Sequence, residues 1–228
     1  MTRATIFDLD DTLVDSADTW VRVCAAFAAR HGHRWRAEDT AALHGNGGWA
    51  VYVSGLCDGA AGPAEVADAC AAAATGEVAA GRVPALPGAV DLVLEAGRHG
   101  PVALATASPR RFVLAVLERL GLTGRLGAVV CGEDVARAKP APDPYLRAAA
   151  AIGVPPARCL AVEDSPNGIR SANAAGMRVL AVPRGGMTLP PDVANLPAAQ
   201  APTTAAALPL LARLLATHPD PLVPESTA

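Results

Sequence analysis

Five short apolar runs, each leaving into a polar turn, constrain the fold of this chain more than any other feature. They are Ala4–Phe7, Val102–Ala105, Ala128–Val130, Cys159–Val162 and Val179–Val182. Their length and bounding turns predict buried strands. Helical patterns separate them. Phe112, Val113, Val116, Leu117 and Leu120 form one apolar stripe, and Gly121 stands where a helix C-terminus needs a glycine. Another helix is predicted to start near Ala89. Strands alternating with helices predict an α/β fold, a parallel sheet with helices on both faces.

Ser108-Pro109, Asp143-Pro144 and Ser165-Pro166 each set a capping side chain before a proline, which predicts three helix starts. Those at Ser108 and Ser165 directly follow predicted strands. Their free backbone N–H groups would meet at the carboxyl edge of the sheet, where anions bind.

Residues 16–84 break the alternation. They hold helical patterns, clearest over Ala17–His31 and Ala64–Ala80, and no strand pattern. We read 16–84 as a small helical domain inserted after the first strand, with 1–15 and 85–215 forming the core domain. Pro84–Gly88 reads as the return hinge. The polar, proline-rich residues 216–228 read as a disordered tail.

The chain has 228 residues, 51% of them hydrophobic, enough for one core and a small insert. A formal net charge of -3 lacks the basic footprint of a nucleic-acid binder. No apolar stretch is long enough to span a bilayer. Neither nucleic acid nor membrane is therefore an expected partner. The five cysteines are scattered without a CxxC spacing, and no signal-peptide pattern precedes them. Reduced thiols in a cytoplasmic protein are expected, and no zinc site.

Four segments carry candidate chemistry. Asp8 and Asp10 lie two residues apart just past the first strand, where one carboxylate could attack phosphorus and the other move a proton. An acidic turn capping a helix, as Asp15-Ser16 could, is the plainer reading. Thr106-Ala107-Ser108 puts a hydroxyl at a strand end before a capping serine, a small anion cup. Ser108 is expected to cap its helix and could also face a substrate. Lys139 is the single lysine of a chain whose other basic side chains are arginines. A compact ammonium there suits a point charge beside a phosphoryl group. Glu163-Asp164, two carboxylates at a strand end, call for a cation.

Together, Asp8-Leu-Asp10-Asp-Thr-Leu, Thr106-Ala-Ser108, Lys139-Pro-x-Pro-Asp and Glu163-Asp164-Ser-Pro-Asn-Gly resemble the four motifs of the haloacid dehalogenase superfamily, in its phosphatase branch. The resemblance spans nearly the whole chain. It implies a Rossmann-like core with a helical cap domain. It makes Asp8 the nucleophile and Asp10 the general acid, then base. It implies Mg2+ held by Asp8, Asp164 and the Asp10 carbonyl, with Glu163 bound directly or through water. Hard oxygen ligands suit that ion. Thr106, Lys139 and the backbone N–H groups of Leu9 and Ala107 would hold the phosphate.

The expected activity is magnesium-dependent hydrolysis of a small phosphorylated metabolite, a sugar, polyol or biosynthetic intermediate, by a monomer or homodimer. Substrate choice would lie in the cap loop Leu43–Trp49, with His44, Gly45 and Asn46, and with Trp49 or Tyr52, beside Ser108 of the core. His44 could equally end a helix, and Trp49 could be core. The rival is a sugar-phosphate mutase. Mutase members carry a histidine where Trp20 stands and a cation in the cap loop, and Leu43–Trp49 has no arginine. The insert has no lysine for Schiff-base phosphonate cleavage, and Asp10 and Asp164 argue against metal-free dehalogenation. A non-catalytic binding module is a second alternative, against which stand the intact Asp8 and Asp10.

Overall fold

The structure, a computed structural model, describes residues 4–216. The elements run β1 (Ala4–Phe7), α1 (Ala17–Arg30), α2 (Ala37–Leu43), α3 (Trp49–Gly55), α4 (Pro63–Ala79), α5 (Ala89–His99), β2 (Val102–Ala105) and α6 (Arg110–Arg119). They continue β3 (Ala128–Val130), α7 (Asp143–Ala151), β4 (Cys159–Glu163), α8 (Pro166–Ala174), β5 (Arg178–Ala181), β6 (Ala199–Gln200) and α9 (Thr204–Ala216).

The strands form one parallel sheet in the order β3-β2-β1-β4-β5-β6. Side chains alternate across it, as strand geometry requires. Phe7, Leu104, Leu160, Val162 and Leu180 face one side, where they share a cluster with α5, α6 and α9. Ile6, Ala103, Ala105, Ala161 and Ala181 face the other, against α7 and α8. That second layer is rich in alanine, with Ala148, Ala149 and Ala172 on the helices beside the larger Tyr145 and Ile169.

Strand order reverses beside β1. The chain goes from β1 out to β2 and β3, then returns to lay β4 on the opposite side of β1. The carboxyl ends of β1 and β4 are therefore neighbours at the crevice where open α/β sheets bind ligands. The Asp8 N–H donates to Val162 O at 3.0 Å, which fixes that register.

The five expected strands form, with the last lying over Arg178–Ala181. The two-residue β6 has no apolar run to announce it. The two expected helices between β1 and α5 appear as α1 and α4, and two seven-residue helices, α2 and α3, lie between them. The passages into and out of this helical region pair with each other. Asp15 N–H donates to Pro84 O at 3.0 Å, and Leu86 N–H to Leu13 O at 2.9 Å. The apolar cluster is continuous from the sheet into these helices through Trp20, Val23, Phe27 and Val66. The tail expected over 216–228 lies, beyond Ala216, outside the described residues.

Two capping expectations fail. Ser108 does not cap α6: Pro109 occupies the cap position, and the Ser108 hydroxyl is turned toward the Asp10 carboxylate, to which it donates at 2.6 Å. Asp143 is the first residue of α7 and binds Arg137 instead. Ser165 does cap α8, accepting the Gly168 N–H at 3.1 Å. At the start of α1, Ser16 makes no side-chain cap. Asp11 Oδ1 takes the Ser16 and Ala17 N–H groups from outside the helix.

Gly88 opens α5 at φ +81°, where an added Cβ would fall 2.8 Å from Ala205 Cα of α9. Gly88→Ala combines left-handed strain with a backbone clash. It should destabilise the fold by about 2–4 kcal/mol, read from the urea midpoint at unchanged slope.

Candidate active site

The tight turn after β1 delivers the acidic group. Asp11 sits at φ +58°, its N–H donating to Val14 O, and the chain doubles back over Leu9. Asp8 points from the strand end into a cavity of about 770 Å3 between the sheet edge and the α2–α3 loop. Asp10, Thr106, Ala107, Ser108, Lys139 and Asp164 line the same cavity.

Lys139 is buried, and its Nζ donates to Asp8 Oδ1 at 2.6 Å and Glu163 Oε1 at 2.5 Å. Those two carboxylates hold the ammonium charged, well above the ordinary lysine range despite its desolvation. Glu163 is itself pinned. Tyr145 OH donates to Oε1 at 2.8 Å, and Ser165 N–H and Oγ reach Oε2 at 3.2 Å each. Gly168 leaves the space it fills: a Cβ there would lie 1.8 Å from Glu163 Oε1.

Asp10 accepts four hydrogen bonds. Ser16 Oγ at 2.6 Å and Trp20 Nε1 at 2.7 Å meet Oδ1. Ser108 Oγ at 2.6 Å and Thr106 Oγ1 at 3.3 Å meet Oδ2. Sequence reasoning missed the Trp20 contact. The available signal was its spacing of four from Ser16, which puts both on one face of α1. The Trp20 ring packs edge-on against Phe112 and, tilted, against Trp49.

The expected cap-loop residues divide. His44, Gly45, Asn46 and Trp49 line the cavity. His44 also follows the last turn of α2. The Asn46 amide is engaged within its own loop, with Ala42 O and Gly48 N–H. Tyr52 is not among the lining residues; its hydroxyl donates to Asp39 at 2.7 Å. Glycines let the loop sit close to the core. A Cβ on Gly47 would lie 2.3 Å from the Ala138 Cβ, and Asn167 Nδ2 donates to Gly45 O at 3.0 Å.

Asp8, Glu163 and Asp164 each offer a carboxylate oxygen, all within 4.8 Å of one another. Burial, then the Glu163 and Asp10 charges, push Asp8 up to about 8, against the opposing pull of Lys139. Desolvation and the Glu163 and Asp8 charges hold Asp164 well above the carboxylate range. Two such carboxylates lack compensation that a hard divalent cation would supply. Glu163 fits that role less well, its oxygens already meeting four donors.

A family model described as haloacid dehalogenase-like hydrolase matches residues 2–176. The chain is 35% identical over 193 residues to protein CbbY of Rhodobacter capsulatus, covering 79% of this chain and 85% of that protein. It is 35% identical over 181 residues to hexitol phosphatase A of Escherichia coli, covering 78% and 81%. Among solved structures, a CbbY variant from Rhodobacter sphaeroides in complex with xylulose-(1,5)bisphosphate superposes with TM-score 0.80. It has 27% identity and covers 90% of this chain and 96% of that one.

A raised carboxylate pKa stabilises the fold fully below the unfolded value and loses that contribution as pH climbs through the folded one. Metal-stripped protein should therefore melt at falling temperature between pH 4 and about 8, the range set by Asp8. Millimolar magnesium should raise the melting temperature more at pH 8 than at pH 5. Thermal melts with EDTA and with MgCl2 across this range test both.

Proposed function

The chain belongs to the haloacid dehalogenase-like hydrolase family, and we propose that it is a magnesium-dependent phosphatase acting on a small sugar or polyol phosphate through an aspartyl-phosphate on Asp8. One observation carries the reading. A buried Asp8, held at one oxygen by Lys139, faces a cavity that Asp10 and Asp164 also line.

In the proposed chemistry an Asp8 oxygen attacks phosphorus, the bond to the leaving oxygen breaks, and Asp10 gives that oxygen its proton. Water then attacks the aspartyl-phosphate and passes a proton back to Asp10. The bond from Asp8 to phosphorus breaks, and inorganic phosphate leaves. Lys139, Thr106 and the backbone N–H groups of Leu9 and Ala107 hold the phosphoryl oxygens. Bound magnesium, held by Asp8, Asp164 and the Asp10 carbonyl, would offset the negative charge of phosphoryl group and nucleophile. Residues 16–84 act as the lid in this reading, and His44, Gly45 and Asn46, with Ser108, meet the leaving group.

Asp10 must turn from acceptor to donor and back. Ser16, Thr106 and Ser108 are hydroxyls that can reverse their bonds, whereas the Trp20 indole only donates. Trp20 therefore serves as the fixed hinge of the carboxylate.

Phosphate release should appear with hexitol, pentose or polyol monophosphates in magnesium and vanish in EDTA. Asp8→Asn should lower it by about a thousandfold or more. Activity that survives both EDTA and Asp8→Ala would overturn the reading. A product that keeps its phosphate on another carbon would replace hydrolysis by transfer. Trp20→Phe should lower kcat about tenfold with KM nearly unchanged, because it removes one orienting bond and keeps the ring packing. Steady-state kinetics of the three variants, each checked for folding by circular dichroism, decide this.

A further inference from the structure

Arg184 stands on the loop that leaves β5 at the carboxyl edge of the sheet, and it lines the same cavity as Asp8. Among the described lining residues it and Lys139 are the only lysine or arginine side chains. Lys139 is committed to Asp8 and Glu163. The cap loop Leu43–Trp49 supplies no arginine or lysine. Among the described residues Arg184 is thus the one permanent cation along the cavity wall away from the nucleophile.

Its present partners hold it without exhausting it. Nη2 donates to Asp15 Oδ1 at 2.8 Å, but the Asp15 side chain is 46% exposed. An exposed ion pair of this kind contributes little and yields to a competing anion. Nε lies 3.6 Å from Asp11 Oδ1, too far for a hydrogen bond, and that oxygen already accepts the Ser16 and Ala17 N–H groups. A guanidinium carries five donors in a planar fork suited to carboxylate and phosphate. Here one of them makes a hydrogen bond among the described residues. Gly185 follows at φ +59°, so the chain turns sharply just after Arg184.

We propose that Arg184 forms a second anion subsite in this cavity, and that the substrate carries a carboxylate or a second phosphate besides the phosphate that is hydrolysed. This rests on reading the cavity as a phosphatase site. Arg184 is then a specificity residue for the leaving group and touches none of the reacting atoms.

The test is calorimetric titration of the full chain in magnesium, in an Asp8→Asn background that prevents turnover. Two matched pairs are the probes: 2-phosphoglycolate against 2-hydroxyethyl phosphate, and fructose 1,6-bisphosphate against fructose 1-phosphate. In at least one pair the doubly anionic member should bind about tenfold more tightly. The pair that discriminates identifies the second group as carboxylate or phosphate. Arg184→Gln should erase the difference while leaving the singly anionic member within about threefold, and Arg184→Lys should restore part of it. No discrimination in either pair, or no binding by either doubly anionic probe, overturns the proposal. So does an equal loss for both members in Arg184→Gln, which would mark Arg184 as a tether of the Asp15 hinge. Failure of the phosphatase reading has a separate signature: p-nitrophenyl phosphate turnover would persist in Asp8→Asn. Intact, Asp8-dependent turnover without discrimination sinks the subsite alone.

Discussion

The Lys139 ammonium, buried between Asp8 and Glu163, ties together three segments that the sheet brings to one edge. Burying a charge is expensive unless it is paired and hydrogen-bonded. Here the cost is offset by two carboxylates, and it is met only if both are held still. Glu163 is held by Tyr145 from α7 and by Ser165 at the start of α8, over the space that Gly168 leaves. Asp8 is held by the backbone pairing of β1 with β4. Removing Tyr145 or adding a methyl at Gly168 would therefore disturb Asp8 through the lysine, although neither residue touches it.

The same arrangement explains why the glycine loop matters. Gly47 rests on the segment that carries Lys139, with no room for a side chain between it and Ala138. Asn167, one residue into α8 from its first proline, reaches across to the Gly45 carbonyl. The cap loop thus reads the position of both the lysine segment and the α8 N-terminus. A ligand that shifted either would be felt by the loop over the cavity, and the reverse holds by linkage.

Much of this was legible in the sequence because it is local. The five strands and helices α1 and α4 follow from period and turn chemistry, and Asp8, Asp10, Thr106 and Asp164 stand at or just past strand ends, whereas Lys139 is joined to them by the resemblance of its segment to a family motif. What escaped depends on which groups meet in space. Ser108 has the sequence of a cap, yet Asp10, far away in the chain, offers its hydroxyl a charged acceptor. Trp20 is buried with its ring in the core, but its N–H faces Asp10. Arg184 belongs to no motif, and only the fold sets it beside Asp15 and the cavity. Glu163 stands at a strand end like Asp164, but its bonds from Lys139, Tyr145 and Ser165 come from segments that only the fold brings together.

The charge balance of the cavity joins these threads. Asp8, Asp10, Asp11 and Asp164 line it, with Lys139 and Arg184 as the permanent cations. Lys139 balances charge at the Asp8 end and Arg184 at the Asp15 end. Asp11 uses one oxygen to cap α1, and Asp10 is surrounded by donors. Among the described residues Asp164 has one side-chain hydrogen bond, from Thr12 at 3.5 Å. That carboxylate, beside Asp8, is where the uncompensated charge concentrates. The demand for a cation is thus a consequence of how the other carboxylates are already satisfied, and it falls where a phosphoryl group bound at Asp8 would bring further negative charge.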